Sequence, residues 1–188
     1  MLIGLAINPH FYNHAEDIER IRNDFGLKEK KFTVLLTGGG DGGGKIYPIV
    51  KEILKENLDV QIVVVCGRNK ILKEKLSKLP VVALDYTNRM PELMSIADLV
   101  VTKAGPGTIE ECITKGLPII ITSYIFGQEK ANIAYAKERT RAYYEKNSGK
   151  VVGLIKKELM SAQGKLKRIP KEDAAVYKIA DLLKGLLS

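Results

Sequence analysis

Apolar, mostly β-branched runs recur along the chain at FTVLL (32–36), VQIVVVC (60–66), PVVAL (80–84), ADLVVT (97–102) and LPIIIT (117–122), with a weaker one at RAYYE (141–145). The runs are continuous rather than alternating, the pattern of strands covered on both faces in a parallel sheet. Between them lie amphipathic stretches, roughly 45–57, 69–78, 90–96, 107–115 and 128–139, which predict helices. Strand and helix alternate, so the expected fold is α/β, a Rossmann-like doubly wound parallel sheet of about six strands. Two further helices are expected over about 151–162 and 172–187, the second with Val176, Ile179, Ala180, Leu183 and Leu187 on one stripe. Residues 1–30 stand apart as a connector, an extended piece interrupted by Pro9 and followed by a helix, leading into a domain over 31–188.

Composition narrows the function classes. The chain has 188 residues, 45% hydrophobic and 28% charged, as expected of one ordinary globular domain with a full core. Cys66 and Cys112 lie in apolar segments without metal-ligand spacing and read as small buried hydrophobes in a reducing compartment. No run approaches the ~20 apolar residues of a spanning helix and no signal-peptide pattern opens the chain, which points to a cytoplasmic protein. A net charge of +8 calls for an acidic partner or a solvated basic surface, and Lys150 to Lys171 holds seven basic residues against the single acid Glu158. An anionic membrane face or a phosphate-rich ligand suits that cluster; nucleic acid is not expected, because no recognition module such as an RNP motif is present.

Candidate chemistry gathers where the strands end, which is where open α/β sheets bind ligands. After the first run, LLTGGGDGGGK places six glycines within Gly38–Gly44. It comes near two phosphate-binding patterns and completes neither. Ile46 stands where a P-loop needs a hydroxyl, and the second strand ends in VVVCGRN without the acid that holds a dinucleotide's ribose. Further segments follow the other strands: CGRN (66–69), DYTNRM (85–90), KAGPGTIEE (103–111) and SYIFGQEKAN (123–132). In KAGPGTIEE the start of a helix offers free amides and a small hydroxyl at Thr108, suited to a pyrophosphate. Glu111, one turn on, suits a ribose diol. Thr108 and Glu111 equally fit a capping box, and the two readings can coexist.

TGGGDGGG, CGRN, KAGPGTIEECITKGLPIII and YIFGQEKAN, in this order and spacing, resemble the C-terminal half of the diacylglycerol glycosyltransferases, the monogalactosyldiacylglycerol synthases and processive diacylglycerol glucosyltransferases. More distantly they are similar to the cell-wall transferase that adds N-acetylglucosamine to lipid I. The opening GLAINPHF is similar to that family's interdomain linker. The resemblance implies the C-terminal half of a GT-B fold, which holds a UDP-hexose donor. It implies that Gly38, Gly39 and Gly40 let backbone approach sugar and phosphates, that Gly67 and Arg68 lie near the nucleoside, and that Tyr86 and Thr87, leading to Met90, face the uracil edge. It implies pyrophosphate at Gly105, Gly107 and Thr108, ribose at Glu111, and sugar hydroxyls at Gln128 and Glu129, with Asn132 one turn beyond. Lys103 is either a counter-charge to the diphosphate or a solvated lysine.

The chemistry so implied is inversion at the anomeric carbon, with a lipid hydroxyl attacking and UDP leaving, without a cofactor or a metal. The family's general base and acceptor pocket belong to an N-terminal domain, so no catalytic residue is assigned here, and His10 and His14 read as surface residues. Alone, the chain is not expected to glycosylate efficiently. It is an excised half, a truncated product or one subunit of a split enzyme, and in the last case a non-catalytic nucleotide-sugar-binding partner. Its place is cytoplasmic, or peripheral at the inner face of a membrane. Glucose and galactose remain equally open as the donor's sugar.

Overall fold

The computed structural model describes residues 5–13, 17–161 and 175–187. Six strands, β1 (Phe32–Thr37), β2 (Val60–Val65), β3 (Val82–Leu84), β4 (Leu99–Lys103), β5 (Ile119–Ser123) and β6 (Ala142–Tyr144), form one sheet in the order β3-β2-β1-β4-β5-β6. Every pairing is parallel. The helices are α1 (Ile18–Asp24), α2 (Ile46–Lys55), α3 (Lys70–Leu76), α4 (Met90–Ile96), α5 (Pro106–Lys115), α6 (Lys130–Arg139), α7 (Ser148–Met160) and α8 (Ala175–Leu187), with a 3-10 turn over Pro9–Tyr12. The expected alternation is therefore present. Among the described residues the largest boundary difference is α7, which starts three residues earlier than expected, at Ser148; β3, β4 and β5 each start two residues later than their apolar runs, and α6 starts at Lys130 because 128–129 belong to the preceding turn.

Alternate residues of each strand enter opposite layers, which is why the runs are apolar throughout. Leu35, Val63, Val100, Ile119 and Ile121 pack on one face with Leu93 and Ile96 of α4 and Ile109, Cys112 and Ile113 of α5. Val34, Leu36, Ile62, Val64, Leu99 and Val101 pack on the other, under Ile49, Val50 and Ile53 of α2 and Val151, Val152 and Ile155 of α7. Side-chain caps mark three helix starts: Asp17 accepts from the Arg20 amide, Asn69 from Leu72 and Asn147 from Lys150.

The opening stretch joins this core. Ile7, Phe11 and Tyr12 are buried in the α4–α5 layer. Arg22 of α1 donates to Thr33 Oγ1 and to the Ile96 carbonyl, both at 3.0 Å, so α1 is latched to β1 and α4 at once. His10 is exposed, as expected of a surface residue; His14 lies outside the described residues. Both cysteines are buried thiols. Of the basic cluster, Lys156 pairs with Glu56 and the Lys157 ammonium lies over the Tyr143 ring, while 162–174 fall outside the described residues. No described helix is long and apolar enough to cross a membrane.

The order of the sheet positions the site. The chain runs β1, β2, β3 to one side, then returns to place β4 beside β1 and continues outward through β5 and β6. Loops after β1 and β4 therefore diverge and leave a crevice between them at the carboxyl ends of the strands.

Candidate functional site

Half of the glycine pattern is spent on the protein's own backbone. A Cβ on Gly42, whose φ is +61°, would stand 1.9 Å from the Cys66 carbonyl oxygen, and one on Gly67, at φ +59°, would stand 2.3 Å from that of Gly40. A Cβ on Gly38 would meet the Gly43 carbonyl oxygen at 2.0 Å. The loop after β1 is thus folded on itself and pressed against the loop after β2, and the Arg68 amide donates to the Gly40 carbonyl at 2.9 Å to join them. Side chains on Gly40 and Gly107 would meet nothing within 4 Å, so these two glycines leave space open.

Lys103, at the end of β4, reaches into the crevice. A Cβ on Gly39 would lie 3.3 Å from its Cε, and one on Gly105 would lie 3.3 Å from its Nζ. Its ammonium forms an ion pair with Glu129, whose side chain is 7% exposed against 28% for the lysine. The second carboxylate oxygen of Glu129 accepts from the Ile125 amide at 2.9 Å, which closes the turn before α6. Asn132 donates to the Ala104 carbonyl at 2.9 Å and ties α6 to the β4–α5 loop. Lys103 is thus paired with a carboxylate rather than held by solvent alone.

Helix α5 settles the alternative at Thr108. Pro106 occupies its first position, Gly105 is the N-cap, and no side chain caps it. Thr108 lies inside the first turn, so the capping box is not formed. The amides of Gly107 and Thr108 have no acceptor within the helix. Thr108 and Glu111, three residues apart, share a face. Glu111 makes no hydrogen bond or ion pair with any described residue, and burial alone pushes its carboxyl up to about 7. A carboxyl mostly out of water with no partner among the described residues is costly to keep in its charged form.

The remaining candidates spread along the rim. Tyr86 is 61% exposed and lies under the Arg68 guanidinium, 5.9 Å from ring centroid to Cζ. Thr87 accepts from the Arg89 amide and Met90 packs on the core. Gln128 is exposed beyond the crevice. The structure brings together Gly39, Lys103, Gly105 and Glu129; Gly40 is tied instead to Arg68, and Gly107, Thr108 and Glu111 follow along α5. Ser123, the first residue of SYIFGQEKAN, was not singled out within that segment: its Oγ would be 3.6 Å from a Cβ on Gly44. Its only sequence signal was its place as the last residue of β5. The pair Ile125 and Phe126, 50% and 87% exposed on the turn that Glu129 closes, was likewise missed. Free amides, an ammonium and an unpaired carboxyl in one crevice can hold a diphosphate beside a vicinal diol.

Comparison with solved structures gives the same architecture. WaaG, a glycosyltransferase involved in lipopolysaccharide biosynthesis, superposes with a TM-score of 0.65 at 21% identity, over 93% of this chain and 50% of that one. MurG of Acinetobacter baumannii superposes with a TM-score of 0.61 at 16% identity, over 96% and 56%. The fold is accordingly the C-terminal half of a GT-B fold. In sequence, a probable chloroplastic monogalactosyldiacylglycerol synthase of Glycine max is 34% identical over 96% of this chain and 38% of its own length. Monogalactosyldiacylglycerol synthase 1 of Arabidopsis thaliana is 34% identical over 94% and 36%. The chain spans little more than a third of these relatives. The profile of the glycosyltransferase family 28 C-terminal domain matches residues 33–184, from the start of β1 into α8, and the chain belongs to that family.

Proposed function

We propose that the chain is the UDP-sugar-binding half of an inverting glycosyltransferase that transfers a hexose to a lipid acceptor such as diacylglycerol. The observation that carries this reading is Glu111, an unpaired carboxyl held partly out of water one turn behind the uncapped start of α5. A ribose diol donates two hydrogen bonds to such a group, and the amides of Gly107 and Thr108 donate to the diphosphate in front of it. Those amides and the Lys103 ammonium stabilise the charge that develops on the departing UDP. Tyr86 and Arg68 flank the nucleoside side of the crevice, and Gln128 the sugar side. The base that takes the lipid hydroxyl's proton comes from a second domain, on the same chain or a partner chain, since this chain spans only about a third of its relatives. The net charge of +8 suits a peripheral place at an anionic membrane, on its cytoplasmic side.

The relatives named as galactolipid synthases support a hexose donor. UDP-glucose and UDP-galactose are expected to displace bound UDP from this chain at lower concentration than UDP-N-acetylglucosamine does, in a competition titration. A clear preference for the N-acetylated sugar would move the substrate to the cell-wall branch.

A further inference from the structure

The charged partner of Lys103 is Glu129. The ammonium stands 3.3 Å from a Cβ built on Gly105, and the Glu129 Oε1 stands 3.9 Å from the same point, so both groups sit at the N-cap of α5. That helix start carries unsatisfied amides and the positive end of a ten-residue helix, an environment that favours an anion and disfavours a lone lysine. The carboxylate answers both needs. It pairs with the lysine and brings a negative charge to the mouth of the helix, where 26 residues of sequence separate the two partners. The Lys103 Cε also stands 3.3 Å from a Cβ built on Gly39 of the loop after β1, so the lysine spans the β1–β4 crevice.

We infer that Glu129 is an internal stand-in for the donor's phosphate, a positioning residue that holds Lys103 and gives it up when the diphosphate binds. The inference rests on the donor-site reading above. One carboxylate oxygen of Glu129 is on Lys103 and the other on the Ile125 amide, a role distinct from the contact with sugar hydroxyls that the resemblance implies. Two anions a few ångströms apart on one ammonium repel, so the diphosphate binds against the carboxylate. Release of Glu129 also loosens the turn that carries Ile125 and Phe126, whose apolar side chains are 50% and 87% exposed beside the site. Donor occupancy and the shape of this rim are thereby linked.

The sign of one substitution tests this. Calorimetric titration of pyrophosphate and of UDP into Glu129→Gln is expected to show both binding roughly tenfold tighter than to the parent, the effect of removing one like charge near a bound anion. Made on a Lys103→Met background, the same change is expected to gain clearly less, because the repulsion is still relieved but no lysine is released to the diphosphate; an equal gain on both backgrounds would overturn the inference. Parent protein that binds UDP, with Glu129→Gln binding it equally or more weakly, would overturn the inference and leave the donor site standing. A parent that binds neither UDP nor pyrophosphate would overturn both. Should Glu129→Gln fail to fold, amide exchange in the parent decides: Ile125 is expected to exchange faster when pyrophosphate saturates the site, and unchanged or slower exchange would overturn the inference.

Discussion

Replacing Glu111 with glutamine is expected to weaken UDP binding and, at pH 8, to raise the melting temperature. The two effects have one cause. Burial pushes the carboxyl from its ordinary 4.5 to about 7, so the folded protein carries its charged form at a cost. A raised carboxyl contributes stability that is fully present below the unfolded value near 4.5 and is lost as pH climbs through 7. Above that range the penalty is on the order of 3 kcal/mol, and a neutral glutamine relieves most of it. Binding moves the other way. A diol donates to the charged carboxylate, and losing a hydrogen bond to a charged group costs about 1.5–3 kcal/mol, roughly tenfold to a hundredfold in affinity. UDP is therefore expected to bind with release of a proton, and its affinity to fall by up to about tenfold for each pH step below 7. The neighbouring Cys112 thiol, held well above its ordinary value by burial and by Glu111 itself, stays protonated throughout and does not blur the profile. Titration calorimetry in two buffers of different ionisation enthalpy measures the proton, and melting curves from pH 4 to 9 measure the stability. A residue that served only the fold would lose stability and binding together.

The second large effect separates glycines that look alike. Gly42→Ala forces a left-handed residue, at φ +61°, to carry a Cβ 1.9 Å from a carbonyl oxygen of the neighbouring loop. Neither the Gly38–Gly44 loop nor the Cys66–Asn69 loop can yield without breaking their shared hydrogen bonds. The expected loss is about 4 kcal/mol or more, enough to lower the melting point by roughly 8–16 °C in a domain of this size. Gly107→Ala adds a methyl that meets nothing within 4 Å and removes a glycine from a helix. It is expected to gain about 0.5–1 kcal/mol of stability while weakening UDP, because the methyl enters the space in front of the free amides. Thermal melts with parallel UDP titrations distinguish the pair. Equal losses of stability at both positions would remove the distinction between packing and ligand-facing glycines. Gly39 makes a poorer probe, since its φ of +74° strains any side chain whether or not a ligand is bound.

These contrasts show what the sequence made legible. The sheet was readable because its strands are buried on both faces, so Val34, Leu35 and Leu36 are all apolar although they point to different layers. The start of α5 was readable only in part, since the helix was expected from 107 and a capping box at Thr108 stayed open. Pro106 fixes the first helical position and hence the N-cap at Gly105, and that alone rules out a capping box begun at Thr108. The use of each glycine was not, because Gly38 and Gly42, which face backbone, and Gly40, which faces open space, belong to the same run and differ only in a tertiary contact. Nor was the Lys103–Glu129 pair, whose partners lie on different strand-to-helix loops and meet only after β4 and β5 are aligned. Both residues were legible as candidates, but their attachment to each other was not. The connector shows a similar gap. Phe11 and Tyr12 follow a proline in a segment without periodicity, and only packing reveals them as core.

The central claim is that the crevice between β1 and β4 holds the UDP part of a nucleotide-sugar. Calorimetric titration of UDP, GDP and NAD into the chain tests it most directly. UDP is expected to bind weakly, because half of a two-domain cleft makes half of the contacts, and to bind more tightly than either GDP or NAD. Equal binding of all three, or no binding of UDP, would contradict the account.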